Sequence, residues 1–253
     1  MKRLYSVAFM STLFLTSALA FAQTDVRAYR GPNHIVTALR HLQPNEQWNG
    51  AMYSEGTEKY AVVSWGSSCA VTSTGYLLTA NHVVTGGERY IVGGWADTNK
   101  TVQADVVRRD EKNDLAVIKV KPPNEIPAWV SGQFAETSEV SEGMDVFMWG
   151  YLAVPGGFIQ FLRRGIVSNN TPVVPTDKMV YVETTASFGT SGSPAYLQSG
   201  KPLGIVSSAV TLPGGFPLPA GEAGVIPGEN INRLLRDVGI LPSTQASASR
   251  PIN

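Results

Sequence analysis

Residues 59–84 read KYAVVSWGSSCAVTSTGYLLTANHVV, and their spacing decides the fold. Short runs of Val, Tyr, Leu and Thr alternate with Gly, Ser and Asn every few residues. No apolar stretch is long enough for a packed helix, so the segment reads as three strands, KYAVVSW, SCAVTS and GYLLTA. The same pattern continues through RYIVGGW, TVQADVVRR, DLAVIKV, MDVFMWGY, GFIQFLRRGIVS, MVYVET, SPAYL, PLGIVSSAV and AGVIP. A dozen short strands with few helices predict an all-β chain, built as a barrel or sandwich. Residues 122–139, PPNEIPAWVSGQFAETSE, lack alternation and divide the run into two six-stranded units. One helix is expected at the end, where GENINRLLRDVG carries Ile231, Leu234, Leu235 and Val238 on one face and stops at Gly239.

Outside this region the chain is different in character. Residues 1–22 place Lys2 and Arg3 before an apolar run and end in Ala18, Ala20 and Ala22, the layout of a cleaved secretory signal. Cleavage is expected after Ala20 or Ala22, leaving no membrane anchor. Residues 23–55 read as a polar, irregular N-terminal extension, with a short helix over His34–Leu42 ended by Pro44. His34 and His41 lie on that element without a third ligand, so no metal site and no cofactor are implied. Residues 242–253 are too polar to pack and read as a disordered tail.

The 253 residues carry 20 basic and 20 acidic groups, with 43% hydrophobic content. This balance offers no clustered positive surface for nucleic acid or anionic lipid. Cys69 is the single cysteine, so no internal disulfide forms in an exported chain. Within SSCAV it reads as a small buried hydrophobe rather than a nucleophile. An exported domain without cysteine pairs points to a bacterial periplasm.

His82 is the only histidine in a strand-rich stretch, and its meaning depends on its partners. Asp114 stands immediately before the apolar run LAVIKV, where a cap or turn role is the ordinary one. Ser191 stands in FGTSGSP, whose composition also suits a plain turn. In the order His, Asp, Ser the three suit nucleophilic catalysis. A serine hydroxyl becomes a useful nucleophile only when an imidazole takes its proton, and a carboxylate holds that imidazole in the right tautomer. The oxyanion that forms needs backbone N–H donors, here those of Gly189 and Ser191.

TSTGYLLTANHVV, NDLAVIKV, RRGIVS, TTASFGTSGSP, PLGIVSSAV and GVIPGENINRLL together resemble the chymotrypsin-fold (trypsin-like) serine proteases, most of all the bacterial periplasmic HtrA-type enzymes. The resemblance implies two six-stranded antiparallel β-barrels and a short C-terminal helix over residues 56–241, barrel one about 56–121 and barrel two about 140–241. It makes His82 the general base, Asp114 its anchor and Ser191 the nucleophile, with a protein or peptide as substrate. The primary pocket would be lined by Thr185, Ala186, Ser187 and Phe188 and by Ser207 and Ser208. Thr185 at its base carries no charge, and no histidine follows His82 to receive an acidic side chain, so a small or medium apolar residue is expected before the scissile bond. Ser193 departs from the glycine usual there and is familiar from glutamyl endopeptidases. No PDZ module and no trimer of the HtrA sort are expected after the closing helix.

Two other functions compete with a peptidase. A catalytically silent peptide-binding protein on the same fold would usually have lost a member of the trio, and all three are present. An α/β-hydrolase esterase needs the order Ser, Asp, His on a helix-rich chain, and this chain has neither.

Overall fold

The structure is a computed structural model that describes residues 30–94, 101–122, 130, 132–154, 157–170, 179–209 and 221–242. The segment read as a signal, Trp95, most of the loop after Ala209 and the tail past Pro242 lie outside the described residues.

Seven strands make the first sheet: β1 (Asn33–His41), β2 (Met52–Glu55), β3 (Glu58–Ala70), β4 (Tyr76–Ala80), β5 (Arg89–Gly93), β6 (Val102–Asp110) and β7 (Leu115–Val120). Their order is β1-β5-β6-β7-β4-β3-β2, and pairing of β1 with β3 closes the first six into a barrel with β2 appended. The remaining strands are β8 (Asp145–Val154), β9 (Gly157–Asn169), β10 (Val180–Glu183), β11 (Pro194–Leu197), β12 (Pro202–Ala209) and β13 (Glu222–Pro227). They form a second closed barrel of order β10-β13-β12-β11-β8-β9, and every pair in both barrels is antiparallel. Among the described residues one α-helix, α1 (Gly228–Asp237), follows. The all-β, two-barrel expectation holds.

The apolar runs of the central strands follow from what each face touches. In β7, Ala116, Ile118 and Val120 point into the first barrel, while Leu115 and Val117 face the second. In β4, Leu77 and Ala80 fill the barrel and Leu78 packs between the barrels. Both faces are dry, so alternation disappears. Between the barrels, Cys69, Leu78, Leu115, Trp149, Tyr196, Ile205 and Ile226 meet Ile231, Leu234 and Leu235 of α1. Each such aliphatic side chain removed from water contributes about 1.5–3 kcal/mol. The expected helix face is therefore what clamps the two barrels. The connecting segment is tied to it, since Phe134 N–H donates to Asn232 Oδ1 and Asn232 Nδ2 donates to Phe134 O, both at 2.9 Å.

Two expectations are corrected. Residues 34–42 are not a helix: β1 covers them through His41, pairing with β3 on one side and β5 on the other. Ile35, Val36 and Thr37 are β-branched and stiff at χ1, which suits a strand buried on both faces. His34 is buried in it, and His41 at its exposed end has Nε2 2.5 Å from Glu58 Oε2. KYAVVSW and the first three residues of SCAVTS are likewise one strand, β3, not two. The small residues Gly66, Ser67 and Ser68 look like a turn, but they are small because other elements press on them. A Cβ on Gly66 would sit 2.6 Å from Val83 Cγ2 and 2.7 Å from the Ser191 carbonyl oxygen.

Candidate active site

His82 lies in a one-turn 3-10 helix over Asn81–Val84, directly after β4. Asp114 follows another such turn, Glu111–Asn113, whose start is capped by the Asp110 side chain accepting from Asn113 N–H. Asp114 itself takes the left-handed conformation, φ 52° and ψ 42°, which Asp and Asn tolerate better than most residues. Because β4 and β7 pair side by side, the two turns emerge together, and Asn81 N–H extends the ladder to Asp114 O at 2.9 Å. The Asp114 carboxylate then meets His82 twice. Oδ1 accepts from the His82 backbone N–H at 2.9 Å, and Oδ2 lies 2.8 Å from ring Nδ1.

Ser207 was expected as a pocket residue, yet its hydroxyl donates to Asp114 Oδ2 at 2.5 Å. Burial pushes the Asp114 carboxyl up. The bonds from the His82 ring, the Ser207 hydroxyl and the His82 N–H outweigh it and hold the group below the usual carboxylate range.

Ser191 enters from the second barrel, between Thr190 and Gly192 in the turn before β11. Thr190 N–H donates to Ser187 O at 3.0 Å, and Gly189, third residue of that turn, has φ +97°. Phe188 is not among the positive-φ residues, so this is a type II turn, which needs glycine at its third position. A Cβ on Gly189 would lie 2.1 Å from Trp65 Cζ3 and 2.5 Å from Tyr151 O. Ser67 of β3 fastens the loop to the first barrel: its N–H donates to Ser191 O and its hydroxyl to Gly189 O, both at 2.7 Å. That hydroxyl also accepts from Tyr151 N–H of β8 at 3.0 Å. Along the loop, the N–H groups of Thr190, Gly192 and Ser193 are all spent on carbonyls of Ser187, Val206 and Thr190. Those of Gly189 and Ser191 have no acceptor among the described residues.

His82, Asp114, Ser191 and Ser207 line one cleft of about 1080 Å³ between the barrels, with Ala186, Ser187, Phe188, Gly189 and Ser208 beside them and Trp65 opposite. The Ser191 hydroxyl donates to Ser207 O at 3.1 Å. Phe188 is 91% exposed at the rim. Thr185 is exposed and does not line the cleft, so the structure does not put it at the base of a pocket.

Residues 66–205 match the trypsin-like peptidase domain. The chain belongs to the trypsin-like peptidase family. Proteins named "Probable periplasmic serine endoprotease DegP-like" are similar to it. The one from Pseudomonas putida (strain GB-1) is 33% identical over 166 residues, covering 64% of this chain and 32% of the relative. That from Hahella chejuensis is 34% identical over 156 residues, 60% and 31% respectively, and that from Brucella suis 30% over 169 residues, 64% and 32%. This trypsin-like chain thus spans about a third of the length of the curated relatives it matches.

Proposed function

We propose that the chain is a serine endopeptidase in which Ser191 attacks the scissile carbonyl, His82 is the general base and Asp114 holds the imidazole. The observation that carries this is the His82–Asp114 double contact in the same cleft as Ser191 and two unspent N–H donors. In the reaction the Ser191 hydroxyl leaves the Ser207 carbonyl and gives its proton to the imidazole as the oxygen bonds the carbonyl carbon. Asp114 accepts from Nδ1–H and stabilises the imidazolium without taking the proton. The carbonyl oxygen becomes an oxyanion held by the N–H groups of Gly189 and Ser191. The imidazolium then protonates the leaving amine, and an acyl-enzyme on Ser191 remains. Water, deprotonated by the same imidazole, releases the acid.

Ala186, Ser187 and Ser208 beside the nucleophile are small and neutral, and among the described residues the titratable groups lining the cleft are His82 and Asp114. These residues support a small or medium apolar side chain before the scissile bond. The signal-type N-terminus and the names of the relatives support export to the periplasm. One observation favours a silent peptide-binding protein instead: the Ser191 hydroxyl bonds Ser207 O in place of the ring. A fluorophosphonate probe separates the two. An active serine is labelled in the wild-type protein and not in Ser191→Ala. No labelling, or labelling that survives the substitution, overturns the peptidase assignment, and a peptide library then reads the preferred residue.

A further inference from the structure

The turn that carries His82 is poorly held by its own bonds. It has four residues, no side-chain cap from Ala80 at its start, and a closing bond, Thr85 N–H to His82 O, of 3.4 Å. Such short 3-10 turns have weak hydrogen-bond geometry and leave their end carbonyls unsatisfied. Asn81 O accepts from Thr85 Oγ1 at 2.9 Å and the Tyr90 hydroxyl lies 3.1 Å from Val84 O, and one side chain two strands away reaches both ends of the turn. Arg109, next to last in β6, reaches across β7 to place Nη1 3.1 Å from Asn81 Oδ1 and Nη2 2.6 Å from Val84 O. Nη2 also lies 3.1 Å from the Tyr90 hydroxyl, which donates to Gly87 O at 2.6 Å just past the turn. One planar fork thus grips the first and last residues of the turn and the segment after it. Every acceptor it uses among the described residues is neutral, so no carboxylate competes for it.

Resting on the reading of His82 as the general base, we propose that Arg109 is a positioning residue that fixes the His82 turn against Asp114. The chemistry demands it be arginine, because a lysine ammonium reaches one acceptor at a time where the guanidinium spans two in a fixed plane. A misplacement of about 1 Å at the base costs on the order of 100-fold in rate, so a loosened turn is visible in kcat while the cleft still binds peptide.

The test compares Arg109→Gln, Arg109→Lys, Asn81→Ala and the Arg109→Gln/Asn81→Ala double variant with wild type. Arg108→Gln, at an exposed neighbour, removes the same charge and serves as control. Each protein is labelled to completion with fluorophosphonate to count competent sites, and kcat and KM on a peptide are expressed per labelled site. The expected result is a fall of roughly 10- to 100-fold in kcat per site for Arg109→Gln with KM within about twofold, partial recovery in Arg109→Lys and no change in Arg108→Gln. The double variant should be no worse than Arg109→Gln alone, since both act on one contact. Unchanged kcat per site, with activity lost only in step with labelled protein, would mean a purely structural role and overturns the proposal. So does an equal loss in Arg108→Gln. A wild-type protein that takes no label removes the peptidase reading itself, and this inference with it.

Discussion

Gly189→Ala tests the oxyanion cradle more sharply than any change to the triad. In the type II turn Ser187–Thr190, an alanine at the third position would hold φ near +97° at a cost of about 1–2 kcal/mol. Its Cβ would also lie 2.5 Å from Tyr151 O, a backbone atom of β8. Moving it means moving a barrel strand. The tip of Trp65, at 2.1 Å, would also have to turn away, and its ring packs on Phe158 with centroids 5.1 Å apart. The cheaper relief is rotation of the Phe188–Gly189 peptide into a type I turn, where the third residue has negative φ. That rotation aims the residue 189 N–H away from the cleft and leaves Ser191 N–H as the single donor. Loss of one donor costs about 2.7–4 kcal/mol in the transition state, or roughly 100- to 1000-fold in kcat. Ground-state binding does not use the donor fully, so KM should move little. Steady-state kinetics on a peptide, with a thermal melt to verify folding, measures this. Adding Trp65→Ala should not restore the rate, since the Tyr151 carbonyl and the backbone conformation persist. A folded variant with kcat within about threefold of wild type would refute the assignment of Gly189 N–H as a donor.

Asp114→Asn should keep its left-handed turn, which Asn also tolerates. It should lose on the order of 10,000-fold in kcat, because an amide cannot hold the ring in the productive tautomer; a loss under about 10-fold would contradict the role. The Asp114 carboxyl is held below its usual range when folded, so its contribution to stability is fully present above the unfolded pKa and is lost as pH falls through the folded one. Thermal melts of wild type and Asp114→Asn should therefore differ by a constant amount near neutrality and converge in acid, a trend whose reversal would refute the carboxylate's bonding. Burial pushes the Cys69 thiol up to about 12 against a bond from Tyr196, so iodoacetamide at pH 8 should label nothing in the native protein and one site after denaturation.

What the sequence made legible divides by the range of the interaction. His82, Asp114 and Ser191 each sit in a turn between strands and are ambiguous one by one, and only their order along the chain offered a site to look for. β1 escaped because it is buried on both faces between β3 and β5, and a continuous apolar run loses the period that separates strand from helix. The middle of β3 escaped for the opposite reason: Gly66 and Ser67 resemble turn residues, but they are small because the Ser191 loop and Val83 lie against them. Ser207 and Arg109 gave no local signal at all. The Ser207 hydroxyl meets a carboxylate 93 residues earlier in the chain, and Arg109 acts on a turn beginning 28 residues before it. In each case the partner is brought near by strand order. The same order places them: the turns at the ends of β4 and β7 carry His82 and Asp114, β6 beside β7 carries Arg109, and Ser67 ties that frame to the Ser191 loop of the other barrel. A barrel strand cannot shift without breaking ladder bonds on both sides, and the apolar seam with α1 holds the barrels together, so the polar cross-barrel contacts at Ser67 and Ser207 are where substitution should separate activity from folding most cleanly.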